Sequence, residues 1–173
     1  MKSLINEVNK LKNTKIESDV IKRIKEFKEL NNSPDWFSEL CFCILTANSK
    51  AETALNIEKE LKGKGFHSYK ESEVRDCIRR NKHRFHNNKA KFIFEARKHK
   101  NIKEIIQEKT VTEARTWLVE NIKGIGYKES SHFLRNVGYD NIAILDRHII
   151  NLMVEHNILK EKPKNLNKKN ILI

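Results

Sequence analysis

The chain is poor in the residues that punctuate a fold. Only 5 Gly and 2 Pro occur in 173 residues, too few for the many tight turns of a β-sandwich. Cysteine is nearly as scarce. Cys41, Cys43 and Cys77 form no ligand framework, and an iron–sulfur cluster usually needs more thiolates than these. Cys41 and Cys43 sit in the apolar run ELCFCILTA, where buried free thiols are expected. Neither a metal nor any other cofactor is expected. No apolar run is long enough to cross a bilayer. The amino-terminal MKSLINEVNKLKN is interrupted by Asn and Glu and lacks the apolar stretch of a signal peptide. A cytoplasmic protein without a membrane partner is therefore expected.

What the chain has in quantity is lysine. The formal net charge is +12, which points to a polyanionic partner, most often nucleic acid. A biased genome also produces Lys- and Asn-rich chains, so distribution matters more than the total. Between Arg79 and Lys100 there are nine Lys or Arg and a single acid, Glu95, with His83, His86 and His99 among them. That stretch reads as a phosphate-tracking surface, or more plainly as a solvated helix face.

Periodicity is helical nearly throughout, so an all-α chain is expected, as one domain or as two small lobes sharing a cleft. SLINEVNKLKN is a first short helix. SDVIKRIKEFKEL puts Val20, Ile21, Ile24, Phe27 and Leu30 on one face. In NNSPDWF, Ser33 is the expected N-cap, with Pro34 at the first helical position. DWFSELCFCILTAN is apolar all round and should lie at the centre of the domain. KAETALNIEKELKG stops at Gly63, and GKGF is expected as a loop. SEVRDCIRR, NKAKFIFEARKH, NIKEIIQEK and VTEARTWLVEN follow as further helices, and HIINLMVEH continues the pattern near the end. From Ile158 the lysine- and asparagine-rich tail reads as a frayed end or linker.

Against this background the spending of two glycines on one turn, Gly124 and Gly126, is informative. One helix should end near Asn121 and the next begin near Tyr127, with Phe133, Leu134 and Val137 on its apolar side. Ile122 and Ile125 can tuck inward and pin the turn. The glycines permit a left-handed backbone or a close approach. Main-chain amides at a helix N-terminus then form an anion site able to hold a DNA phosphate. This is a helix-hairpin-helix pattern over about 115–137. A tight turn without a ligand is the plain alternative.

Lys128 follows in the first turn of the second helix, and Asp146 ends the apolar approach Ile142, Ile144, Leu145. Each alone is ordinary: a phosphate-contacting lysine and a helix N-cap. Together they fit one chemistry. A lysine amine can displace a base from C1′ of a nucleotide and form a Schiff base. A nearby carboxylate can stabilise the positive charge that develops on the sugar, or help move the lysine's proton.

IKGIGYKESSHFLRNVG followed by ILDRH resembles the helix-hairpin-helix DNA glycosylases related to endonuclease III. Their pattern is a glycine hairpin, a catalytic lysine and an aspartate in V/L-D-x-H, matched here by Lys128, Asp146 and His148. ELCFCILTANSKAE and RFHNNKAKFIFEAR add to the likeness, which over Trp36 to Lys169 is greatest to the short, second type of 8-oxoguanine DNA glycosylase/AP lyase. The resemblance implies a helical barrel lobe over 33–138, a second lobe from 1–32 plus 139–173, and the hairpin at the cleft between them. It implies a monomer acting on double-stranded DNA that carries a damaged base or an abasic site, with the target nucleotide flipped out of the duplex. Lys128 and Asp146 would be catalytic. Gly124, Gly126, Asn48, Arg84 and His148 would meet DNA, and Phe85 would stack on the extruded base. Asn48 reads equally as a C-terminal cap, and Phe85 nearly as well as a core residue. His148 is expected to orient or pack near Asp146, and His132 to face solvent. Family chains run on past the segment that Pro163–Lys169 resembles, into a helix that helps enclose the damaged guanine. This sequence stops at Ile173, so a C-terminally truncated copy is expected, with the hairpin, Lys128 and Asp146 intact. A lyase-only or non-catalytic DNA-binding module, and a basic helical RNA-binding or structural protein, are the competing readings.

Overall fold

The computed structural model describes residues 2–163; the expectations for the chain from residue 164 onward lie outside them. Every regular element among the described residues is helical. In order they are α1 (Lys2–Lys10), α2 (Lys15–Asn31), α3 (Trp36–Thr46), α4 (Ala51–Leu61), α5 (Lys64–Ser68), α6 (Glu71–Arg80), α7 (His86–Ala96), a 3-10 turn Arg97–His99, α8 (Ile102–Gln107), α9 (Val111–Asn121), α10 (Tyr127–Asn136) and α11 (Arg147–Glu155). The all-α expectation holds.

The run that is apolar on every side becomes the hub. In α3, Trp36, Phe37, Leu40, Cys41, Cys43, Ile44 and Leu45 are all buried, and α4, α7, α8 and α10 pack around them. Full burial of a Leu, Ile or Phe side chain contributes about 1.5–3 kcal/mol, so this one helix anchors much of the core. Trp36 meets the edges of Phe133 and Tyr139 at ring separations of 6.2 and 6.4 Å. Burial pushes the Cys41 and Cys43 thiols well above their ordinary range, and Cys77 to about 12. Cys41 and Cys43 are the free, buried thiols expected, and Cys77 is free and buried as well.

Two local readings need correction. The N-cap of α3 is Asp35, whose carboxylate accepts from Ser38 N at 2.9 Å. Ser33 instead accepts from Asp35 N, and Pro34 lies ahead of the helix. Asp and Ser cap about equally well, and with the first helical residue at Trp36 it is Asp35 that stands in the capping position. GKGF is no loop: Lys64 to Ser68 close a short helix, with Gly63 at φ +67° before it and Phe66 buried.

The apolar face of α2 is present but finds little to cover it among the described residues. Val20, Ile21 and Ile24 are 45–59% exposed. Phe27 is half-buried, between the guanidinium groups of Arg23 and Arg135 at 4.8 and 4.6 Å. What holds α2 is the end of α10. Gly138, at φ +97°, brings the chain so near that a Cβ there would lie 3.0 Å from Asn31 Cβ, and Asn31 Nδ2 donates to Val137 O at 2.9 Å. No helix among the described residues is long and apolar enough to cross a membrane.

Candidate active site

The hairpin forms where the glycine pair placed it. A capping box of Thr110 and Glu113 starts α9. The helix ends at Asn121, and α10 begins at Tyr127. Ile122 and Ile125 are both buried and pin the turn to the core. Gly124 has φ +84°, and a Cβ there would lie 2.4 Å from Phe92 Cδ2. Both the left-handed backbone and the ring of α7 therefore demand glycine. Gly126 differs. Its backbone is extended (φ −104°), and its amide donates to Glu129 Oε2 at 3.3 Å. Gly124 and Gly126 are exposed, so the hairpin amides lie at the surface.

Lys128 stands in the first turn of α10, its side chain 42% exposed and its Nζ 3.5 Å from Glu129 Oε1. The amine borders a cleft of about 320 Å³ shared with Glu129, His132, Arg135 and Asn136 of α10 and Phe42, Cys43 and Thr46 of α3. That volume falls at the small end of ligand sites, which run from about 300 to 1,000 Å³.

Asp146 is the N-cap of α11. Its Oδ1 accepts from His148 N and Ile149 N, each at 2.9 Å. The Ile149 amide acts most strongly on its carboxyl, burial opposes it, and the His148 amide with the charges of His148 and Lys128 tips the balance, holding the group below the usual range. Asp146 is therefore ionised at neutral pH and within the field of the Lys128 amine. It does not line the 320 Å³ cleft that Lys128 borders. Both helix amides bind Oδ1, so Oδ2 has no hydrogen bond from the described residues. Capping thus occupies one oxygen of the carboxylate and leaves the other open.

The remaining predicted residues are scattered around this centre. His148 is exposed beside Arg147. Asn48, two residues beyond α3, is exposed and left-handed at φ +60°, the conformation of a helix terminator. Arg84 is exposed, with its guanidinium 5.1 Å from the Phe85 ring, and Phe85 is half-buried at the start of α7. His132 is not solvent-facing. It is half-buried with Nδ1 3.3 Å from Arg135 Nη2. Burial first, then the charges of Arg135 and Lys128, hold it below its ordinary value, so it is neutral at physiological pH.

The basic stretch Arg79–Lys100 is not one solvated face either. Lys89 and His83 are 4% and 3% exposed. Lys89 Nζ donates to Ile44 O at 2.6 Å, and His83 Nε2 lies 2.9 Å from Leu45 O. Burial holds both groups below their ordinary values. Glu129, Lys89 and His83 are the site-region residues that sequence reasoning missed. Only Glu129 carried a signal, as the acid three residues after a helix-capping position.

Comparison with known proteins finds relatives of the same fold. The family model described as 8-oxoguanine DNA glycosylase (Ogg-HhH) matches residues 20–173. An 8-oxoguanine DNA glycosylase/AP lyase of Methanocaldococcus jannaschii is 48% identical over 98% of this chain and 83% of its own length. One from Thermotoga maritima is 39% identical over 99% of this chain and 84% of its own. Among solved structures, the Methanocaldococcus jannaschii 8-oxoguanine glycosylase/lyase in complex with a 15mer DNA containing 8-oxoguanine superposes with a TM-score of 0.91, at 46% identity over 98% of this chain and 83% of that one.

Proposed function

The chain belongs to the 8-oxoguanine DNA glycosylase family, and on that premise we propose that Lys128 and Asp146 carry its chemistry. The protein is a DNA glycosylase/AP lyase of base excision repair that removes 8-oxoguanine from duplex DNA and nicks the strand. The observation that supports the residue assignment is the Lys128 amine at a cleft beside the exposed glycine hairpin, with Asp146 close enough to feel its charge.

In this reading the amides around Gly124 and Gly126 hold the phosphodiester backbone without reading bases. The target nucleotide turns out of the stack. The neutral Lys128 amine attacks C1′. The bond from C1′ to the base breaks, its electron pair leaves with the base, and the base takes up a proton. Asp146 stays charged and stabilises the positive character of the sugar as that bond opens. Loss of an amine proton and ring opening give a Schiff base between Nζ and C1′. Removal of a proton from C2′ then expels the 3′ phosphate and cuts the strand. Asn48, Arg84 and His148 contact DNA, and Phe85 stacks on the extruded base, an interaction worth about 1–3 kcal/mol per base.

Residues 33–138 act as the barrel lobe and residues 1–32 with 139–173 as the second, and the protein works as a cytoplasmic monomer on chromosomal DNA. The test is borohydride trapping. A covalent adduct should form with duplexes bearing 8-oxoguanine or an abasic site, and Lys128→Gln should abolish it. An adduct that survives in Lys128→Gln would overturn the assignment, and trapping on abasic DNA alone would leave only a lyase.

A further inference from the structure

The end of α3 is capped by a different part of the chain. The last four carbonyls of a helix have no partner within it, and here all four find one. Cys43 O accepts from Thr46 Oγ1 at 3.1 Å, and Thr46 O from Ser49 N at 3.0 Å. The two between them reach across the fold, Ile44 O to Lys89 Nζ at 2.6 Å and Leu45 O to His83 Nε2 at 2.9 Å. The segment that supplies both donors, His83 to Lys89, also contains Arg84 and Phe85. The helix it caps runs directly into Asn48.

The tautomer of His83 is fixed by its neighbours. A carbonyl oxygen only accepts, so Nε2 carries the hydrogen that meets Leu45 O. Nδ1 accepts from Phe85 N at 3.1 Å, so it carries none. The ring is a neutral two-ended link, one end on the helix before Asn48 and the other on the backbone of Phe85. It is 3% exposed. Each loop it joins contains a left-handed non-glycine residue, Asn48 at φ +60° and Lys82 at φ +58°; asparagine adopts that backbone readily, whereas the lysine needs support from its surroundings.

We propose that His83 is a positioning residue that holds Asn48 and the Arg84–Phe85 pair in one register against DNA. The proposal rests on the roles given above to Asn48, Arg84 and Phe85. It adds that recognition of the lesion depends on a buried link touching neither base nor sugar. Lys89 is the second tie along the same helix end.

Two substitutions cut one tie each. In His83→Asn the short amide still accepts from Phe85 N but falls short of Leu45 O. In His83→Gln the longer amide still donates to Leu45 O but loses the acceptor for Phe85 N. Single-turnover release of 8-oxoguanine from a duplex is compared with borohydride trapping on an abasic duplex, alongside the melting temperature. Either variant should release the base on the order of tenfold to a hundredfold more slowly, the scale of a small misplacement of reacting groups. Trapping on abasic DNA at saturating enzyme, where no base needs seating and weaker binding does not show, should keep its wild-type rate. Should one variant fail to fold, the other carries the comparison. Wild-type base release by a folded variant overturns the proposal, and so does an equal fall in both activities. A wild-type protein that releases no base places the failure in the proposed function instead. The link is then read from affinity for an abasic-analogue duplex: weaker binding by the variants supports it, and unchanged binding overturns it.

Discussion

Lys128 Nζ lies 3.5 Å from the carboxylate of Glu129, whose other oxygen receives the Gly126 amide at 3.3 Å. One acid thus joins the hairpin to the amine. Glu129→Gln keeps an oxygen for Gly126 but removes the charge beside Lys128. The link between hairpin and amine then rests on a neutral amide, so trapping on abasic DNA should change in rate by a few-fold while the melting temperature stays near that of the wild type. An unchanged trapping rate would remove Glu129 from this role.

Asp146 caps α11 and is assigned a part in base release, and two substitutions separate the duties. Asn is as good an N-cap as Asp, whereas Ala costs about 1 kcal/mol of stability. Asp146→Asn should therefore melt near the wild-type temperature yet release base far more slowly. Asp146→Ala should lose both stability and rate. Equal base-release rates for Asp146→Asn and wild type would confine the residue to capping.

Gly124→Ala should be destabilised by about 1–2 kcal/mol from its left-handed backbone alone, with further loss from contact with Phe92, whose Cδ2 would lie 2.4 Å from the new methyl carbon. Adding Phe92→Ala should relieve the contact but not the backbone cost. Denaturant titration of the single and double variants measures the two contributions. Duplex affinity should fall in both, because the hairpin amides move.

Stability should respond to mild acid in a way that identifies its cause. Burial, above all other influences, holds His83, His99 and His132 below the ordinary value of 6.5. The unfolded chain takes up those protons more readily, so their contribution is complete above about pH 6.5 and is lost as pH falls through the depressed folded values. Glu39 acts in the opposite sense. Burial raises its carboxyl despite the bond from Asn136, so the folded state gains from its protonation as pH falls. Glu39→Gln removes that compensation. Between about pH 7 and pH 5 its denaturation midpoint should drop more steeply than that of the wild-type protein; parallel curves would contradict the assignment.

The all-α class, the central α3 and the hairpin from Asn121 to Tyr127 were legible in the sequence because each leaves a local pattern: apolar spacing, an all-round apolar run, and scarce glycines beside inward isoleucines. Lys128 and Asp146 stood out only in combination, since a lysine near a turn and an acid before a helix are each commonplace. His83 and Lys89 were misread for a physical reason. Lysine is almost never fully buried and histidine only sometimes, and what draws these two inward is a pair of unpartnered carbonyls distant in sequence. Nothing local announces such an acceptor. His132 was misread likewise, because its burial depends on Arg135 and the cleft wall.

The anchoring of Asp146 through one oxygen carries a mechanical corollary. Two helix amides grip Oδ1, so the carboxylate cannot swivel independently and its position travels with the axis of α11. Tilting that axis by a few degrees would lengthen or shorten the gap to the amine without altering any side chain in the cleft. The last helix among the described residues is thereby a lever on the speed of repair, and remote substitutions along its packed side, beginning at Ile150, become a means of tuning turnover.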